Sequence, residues 1–346
     1  MAPTSHRSSI DASTDRIVLA HGSGGTMMRD LIEQVFVDEA FSDVQLEDAA
    51  SLDLPVGSRL AFSTDTFVVN PLFFPGGDIG HLAICGTVND VATSGADVLA
   101  LSVGFVLEEG FPLADLRRIL RSMSETAAEA GVRIVTGDTK VVGRGQADGI
   151  LINTSGVGAL PNGRSLSATN CQVGDKIVLS GTLGDHGIAI ISVREGLEFS
   201  TDIQTDAAPL NHMVSAVLAA APDTRVFRDP TRGGLASALN EIAGASEVSM
   251  LVHDALVPVN PQVRGASEML GYDVYQVANE GKMIAIVPAD QADAALEAMR
   301  GDRYGADAAI IGEVVEGPAG RVSVRNDFGA TRIMDTLVGE QLPRIC

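Results

Sequence analysis

Runs of β-forming residues alternate with helix-forming runs twice along this chain, on either side of one loop of turn formers, LPNGRSLSATN at residues 160–170. That pattern restricts the fold to two units in which helices pack on sheets, with a boundary near 160–170. The length agrees, because 346 residues exceed what one ordinary core accommodates. In the first half IVLA and HGSGGT lead into a helix, MMRDLIEQVF, and RLAFSTDTFVVN (59–70) reads as a strand pair or a bent strand. Asp78 is placed to cap a helix in which Leu82, Cys85, Val88 and Val91 recur at helical spacing. A strand, DVLALSVGFVLEE, precedes an amphipathic helix with Pro112 near its start, Leu116, Ile119, Leu120 and Met123 on one face, and Gly131 at its stop. VRIVTGDTKVV and GILINTSGVGAL then read as strands. KIVLSG, VSMLVHDALVPV, KMIAIVP and AAIIGEVVE alternate with helical runs in the second half.

Composition narrows the function. Aromatic residues make up 4 % and Trp is absent, so Ala, Val, Ile and Leu build the core, and 37 glycines mark many turns or close approaches. The net charge of −21 repels nucleic acid and anionic membrane, and neither is an expected partner. An anionic substrate therefore needs local positive charge, such as Lys140, Arg232 and Lys282 beside glycines or acids, or a metal to mediate. The three cysteines, Cys85, Cys171 and Cys346, form no CxxC pair and no zinc spacing. Cys85 and Cys171 read as small core residues. No apolar stretch is long enough for a membrane helix, and the opening MAPTSHRSSIDAST lacks the apolar segment of a signal peptide. The expected location is cytoplasmic.

Several residues have the chemistry of a nucleotide enzyme. There is no GxxxxGK[ST] loop, so an ordinary P-loop is excluded. His21–Thr26, HGSGGT, has the composition of a phosphate cradle and equally of a plain turn. Asp65, Asp90, Asp138 and Asp229 each sit beside small or polar residues at an expected element end, where a carboxylate either caps the backbone or serves a site. Four acids drawn together repel unless a cation holds them, and Mg²⁺ takes one or two carboxylates plus phosphate oxygens. Lys140 follows Asp138 by two residues, so an extended segment points both to one face. Glu280 lies in VANEGK. Each of these two reads as a surface ion-pair residue or as a reacting group.

A further oddity is the cysteine at the very end, in GEQLPRIC. A prenylation box is excluded because Pro343 stands where that signal needs Cys. Together the run STDTFVVNPLFFPGGDIGHLAICGTVNDVATSGA, with TGDTKVV, SGTLGDHGIAI, DPTRGGL, ANEGK and terminal PRIC, resembles the HypE family of hydrogenase-maturation proteins. That family belongs to the superfamily of aminoimidazole ribonucleotide synthetase, selenophosphate synthetase and thiamine monophosphate kinase. The resemblance runs from about Val18 to Cys346 and shows no departure at these positions.

The resemblance implies an α+β (mixed α/β) fold of the aminoimidazole ribonucleotide synthetase type. Its parts would be a disordered tail at 1–15, an ATP-binding domain with a Gly-rich loop at 16–160, a synthetase-like domain at 170–335, and a flexible tail at 336–346. It implies ATP-dependent dehydration of a carbamoyl group on Cys346 to a thiocyanate, the source of the cyanide ligand of nickel–iron hydrogenase. Carried over by motif, Asp65, Asp90, Asp138 and Asp229 would hold Mg²⁺, Gly24 and Gly25 would cover phosphates, and Asn89, Thr139 and Arg232 would complete the ATP site. Lys140 and Glu280 would flank the carboxamide, with either as the base. The implied partners are a second copy in a homodimer, the carbamoyltransferase HypF as donor, and an iron-carrying HypC–HypD complex as acceptor. An extended chain from Val338 to Cys346 reaches about 26 Å, enough to visit a site and swing out again. Two alternatives stay open: a superfamily enzyme phosphorylating or cyclising a free metabolite, and a non-catalytic nucleotide-gated adaptor.

Overall fold

A computed structural model describes residues 15–40, 49–196, 203–336 and 344–346. The expected N-terminal tail, apart from Asp15, and residues 337–343 of the expected C-terminal tail lie outside the described residues. The first unit contains α1 (Thr26–Leu31), β1 (Arg59–Phe67), β2 (Phe73–Phe74), β3 (Gly77–Asp78), α2 (Ile79–Thr93), β4 (Asp97–Glu108), α3 (Leu113–Ala130), β5 (Arg133–Val142) and β6 (Ile150–Leu160). The second contains β7 (Lys176–Leu179), α4 (Asp185–Arg194), α5 (Asn211–Ala220), β8 (Val226–Arg228), α6 (Gly234–Ala245), β9 (Ser249–His253) and α7 (Pro261–Leu270). It continues with β10 (Ile284–Val287), α8 (Ala292–Arg300), β11 (Ala309–Val315), β12 (Arg321–Arg325) and β13 (Thr331–Ile333). A stretch without helix or strand, residues 161–175, joins β6 to β7.

Four strands form the first sheet in the order β1-β6-β4-β5, and seven form the second in the order β13-β12-β9-β11-β7-β10-β8. The segment 59–67 is one continuous strand, antiparallel to β6 along its whole length. β4 and β5 are parallel, as the intervening helix α3 requires. That helix buries the expected stripe, Leu116, Ile119, Leu120 and Met123, and stops at Gly131, whose φ of 68° suits a residue without Cβ. The opposite face of the sheet is open at β1, where Leu60 and Phe62 are 57 % and 65 % exposed. No helix among the described residues is long and apolar enough to cross a membrane.

The centre of the molecule is α2. Asp78 caps it by accepting from the backbone N–H groups of Gly80 and His81 at 2.8 and 3.0 Å. Its side chains are buried nearly all round, because it packs on β1, β6 and α3 of its own unit and on α5 and β8 of the other. Polar groups in such a position must be paired, and Asn89 is. Its Nδ2 donates to the carbonyls of Ala208 and Glu280 at 3.0 and 3.3 Å, and its Oδ1 accepts from Leu210 N–H at 2.7 Å. One amide side chain thus fastens α2 to two segments of the second unit. Asn89→Ala leaves these buried backbone groups unpaired and is expected to cost about 2–4 kcal/mol. Urea unfolding of the two proteins checks this, and equal midpoints would refute the clamp.

Candidate active site

A cavity of about 350 Å³ opens where the two units meet. Asp65 comes from β1, Asp90 from α2, Asp229 and Arg232 from the turn between β8 and α6, Glu280 from the loop before β10, and Cys346 from the chain end. Five elements far apart in sequence therefore converge on one space. Asp65 reaches inward because it shares the α2-facing side of β1 with Ala61, Ser63 and Phe67, and Ser63 Oγ donates to Asp90 Oδ2 at 2.8 Å. Gly86 makes the approach possible: a Cβ there would come within 2.9 Å of the Phe67 ring.

Electrostatics mark the cavity as strained. Burial, then the neighbouring charge of Asp90, pushes the Asp65 carboxyl up to about 6, against a smaller opposing pull from Arg232. Burial and Asp90 push Asp229 up to about 7. Glu280 is raised well above the usual carboxylate range, chiefly by burial and then by Asp229, Asp206 and Asp65. Glu280 is 3 % exposed, and its Oε1 has no hydrogen-bond partner among the described residues. A buried, unpaired carboxyl oxygen on a residue that lines an acidic cavity marks a candidate functional position.

The loop carrying Glu280 is fixed by its neighbours. Asn279, fully buried, accepts from Gly184 N–H at 2.7 Å and donates to the carbonyls of Pro230 and Val277 at 3.0 Å each. This ties the residue before Glu280 to the residue after Asp229. Glu280 N–H donates to Asp206 Oδ1 at 3.0 Å, while Lys282 Nζ lies 3.6 Å from Asp206 Oδ2. Gly281 lies so close to the Asp206 carbonyl that a Cβ would fall 1.6 Å from its oxygen. Each letter of ANEGK after the alanine thus has a structural reason. Asp206 carries no motif and was invisible in the sequence.

The chain end is docked. The Arg344 carbonyl oxygen and a main-chain carboxylate oxygen of Cys346 accept from Asn70 and Val68 N–H groups at 3.2 Å each, an antiparallel pairing along the extension of β1. Ile345 is 3 % exposed within the core, and Arg344 pairs with Asp148 at 2.6 Å. His186 Nε2 donates to the Ile345 carbonyl at 2.8 Å, and Arg194 Nη2 to that of Arg344 at 2.7 Å. The half-buried Cys346 is thereby delivered to the cavity wall. Arg344 adopts φ 54°, a conformation costly for a side-chain-bearing residue.

The remaining candidate residues lie elsewhere. Asp138, Thr139 and Lys140 are on β5, the edge strand three positions from β1. Lys140 pairs with Asp138 at 3.3 Å, both on the same side as alternation requires, and both side chains are more than 60 % exposed. Gly24 and Gly25 belong to a turn whose neighbour Gly22 packs against Val141 of that same edge. A Cβ on either would meet nothing within 4 Å. These residues form a second cluster, outside the cavity of their own chain. Asn89 turns its side chain to the second unit, away from a ligand role.

Known proteins share this architecture. Residues 46–160 match the N-terminal domain, and residues 172–325 the C-terminal domain, of the family described as AIR synthase related protein. The chain is 52 % identical to a carbamoyl dehydratase HypE of Cupriavidus necator over 97 % of each chain. A solved structure of the hydrogenase maturation protein HypE in complex with ATP superposes with a TM-score of 0.90 at 46 % identity, covering 95 % of this chain and 99 % of that one. A HypE–HypF complex gives a TM-score of 0.79 at 45 % identity, covering 90 % of this chain and all of that one.

The raised Asp229 carboxyl has a measurable consequence. Its neutral form is favoured in the fold, so the contribution to stability is full below its ordinary 3.8 and is lost as pH climbs through about 7. Asp229→Asn removes that loss and is expected to stabilise the ligand-free protein at pH 8 by on the order of 2 kcal/mol, with no gain at pH 4. Urea unfolding at both pH values tests this; no gain at pH 8 contradicts the assignment.

Proposed function

The chain belongs to the HypE family of carbamoyl dehydratases, a branch of the AIR synthase related proteins, and from that premise we propose how its residues carry out the reaction. The protein binds ATP and dehydrates an S-carbamoyl group on Cys346 to a thiocyanate, which supplies the cyanide ligand of nickel–iron hydrogenase. The observation that carries this reading is the placement of Cys346 on the wall of one cavity with Glu280 and three aspartates.

The carbamoyl oxygen attacks the γ-phosphorus of ATP. An O–P bond forms, ADP departs, and one N–H proton is lost. The C–O bond then breaks with release of phosphate, the second N–H proton leaves, and the carbon–nitrogen triple bond forms. The oxygen of the water removed ends in phosphate. Glu280 is the base: it lines the same cavity as the carrier thiol, and its raised proton affinity suits proton abstraction once it is ionised. Arg232 opposes negative charge on the transferred phosphoryl group. The imidate hydrolyses easily, so the reaction requires bulk water to be kept from the loaded site.

Asp65, Asp90 and Asp229 fit a hard divalent cation. Their donors are all carboxylate oxygens, and ionising them together without a counter-charge is costly. Among the described residues no three acids, histidines or cysteines close around an ion by themselves, which suits a site shared with phosphate oxygens. Magnesium held there would neutralise the triphosphate and the charge developing during transfer.

The protein works as a homodimer in this reading. The open face of the first sheet, with exposed Leu60 and Phe62, pairs with its copy and brings the partner's Gly24–Gly25 turn, Asp138, Thr139 and Lys140 to the carboxylates. HypF donates the carbamoyl group, a HypC–HypD complex accepts cyanide, and the setting is the cytoplasm.

Carbamoylated protein incubated with Mg-ATP is expected to lose the mass of one water; an unchanged mass sinks the assignment. Cys346→Ala should keep ATP affinity and take up no carbamoyl group, whereas activity surviving this change would point to a free metabolite as substrate. Lys140→Ala and Glu280→Gln chains, each inactive alone, should regain roughly a quarter of wild-type activity when mixed as dimers. No recovery would argue against a shared site.

A further inference from the structure

The two ends of α4 hold the chain terminus, and neither touches the reacting atoms. His186 is fully buried, and burial favours its neutral form. Because a carbonyl only accepts, Nε2 carries the proton given to Ile345, at 2.8 Å. Nδ1 then accepts from Thr205 Oγ1 at 2.7 Å, and that hydroxyl oxygen accepts in turn from Ala207 N–H at 3.0 Å. The ring is thus fixed in one tautomer and further braced by the edge-on Phe74 ring at 5.7 Å. At the other end Arg194 bridges two segments, donating to the Asn70 carbonyl at 2.6 Å and to the Arg344 carbonyl at 2.7 Å.

All of these contacts read main-chain oxygen. They take no notice of what Sγ of Cys346 carries, so thiol, carbamoyl and cyano forms meet the same latch. Register comes from one apolar anchor, the buried Ile345 side chain, since a shift of one residue would turn it out of the core.

We propose that His186 and Arg194 are positioning residues for the dehydration: by binding the carbonyls of Ile345 and Arg344 they set where the Cys346 sulfur and its cargo sit beside Glu280. This rests on the dehydratase reading for its chemical consequence, while the latch itself stands on the docked geometry alone.

The test uses the full chain and two readouts on His186→Ala, Arg194→Ala and His186→Gln. The first is the rate at which iodoacetamide alkylates Cys346, followed by peptide mass; Cys85 and Cys171 are buried and serve as internal controls for folding. The second is single-turnover water loss from carbamoylated protein at saturating Mg-ATP, with the ATP KM measured alongside. Loss of one hydrogen bond should speed alkylation about fivefold to tenfold and slow water loss by a similar factor, leaving the ATP KM unchanged. His186→Gln, whose amide also donates, should recover most of the wild-type rate.

Unchanged alkylation in alanine variants that melt like wild type would overturn the latch. Faster alkylation with undiminished water loss would overturn the positioning role. If His186→Ala does not fold, Arg194→Ala at the half-exposed end of the helix decides. A wild-type chain that loses no water would remove the dehydratase reading, and the alkylation rates would still decide the latch.

Discussion

Asn89 is the contact on which the remainder of the molecule depends. Its amide binds two carbonyls and one N–H of the second unit from the middle of a helix that belongs to the first. Both kinds of partner are buried, so sliding the units apart would strand polar groups without water to replace them. Asp90, the next residue, inherits its position from that clamp. Asp65, on the strand beneath α2, is set by the same helix. Glu280 is bound through its own carbonyl. A site assembled from separate elements tolerates little relative motion, and a satisfied buried amide is a rigid way to forbid it.

Rigidity is needed because the cavity is electrostatically unfavourable when empty. A chain of net charge −21 gathers Asp65, Asp90, Asp229 and Glu280 about one space with Arg228 and Arg232 as basic residues on its wall. Burial, and after it the repulsion of neighbouring carboxylates, raises the proton affinity of Asp65, Asp229 and Glu280 and costs stability at neutral pH. In the proposed reading, that cost is the counterpart of an affinity for a cation and a phosphorylated ligand. The same logic applies to the chain end, where Arg344 accepts an uncommon backbone conformation so that Ile345 packs inward and Cys346 reaches the wall. Strain at a functional site is tolerated where the surrounding contacts over-determine the geometry.

Much of this was legible in the sequence because its signals are local. Alternating patterns located both sheets, the stripe of α3 and its glycine stop, and the Asp78 cap. Small or polar neighbours singled out Asp65, Asp90 and Asp229, and ANEGK Glu280, yet only Asp229 follows an element end directly, since Asp65 lies within β1 and Asp90 within α2. The segment 59–70, read as a strand pair or bent strand, holds one continuous strand over Arg59–Phe67, and beyond it the N–H groups of Val68 and Asn70 are taken by the chain end. That difference could not be seen locally, since the partner lies more than 270 residues away. Asp138 and Lys140 looked equivalent to the other candidates, yet the crossover through α3 places β5 at the sheet edge, remote from β1.

What the sequence by itself determined is therefore the inventory: two α/β units, the acids, a glycine-rich turn, and a cysteine at the very end. Periodicity and turn chemistry act over a few residues, and those are the distances at which composition speaks. Only the tertiary structure decided which acids meet, that Asn89 is a clamp, that Asp206 supports Glu280, and that His186 and Arg194 hold the terminus. Each of these is a hydrogen bond or ion pair closed across long stretches of chain. Such a contact has no local signature, because its energy depends on burial that exists only once both units have packed.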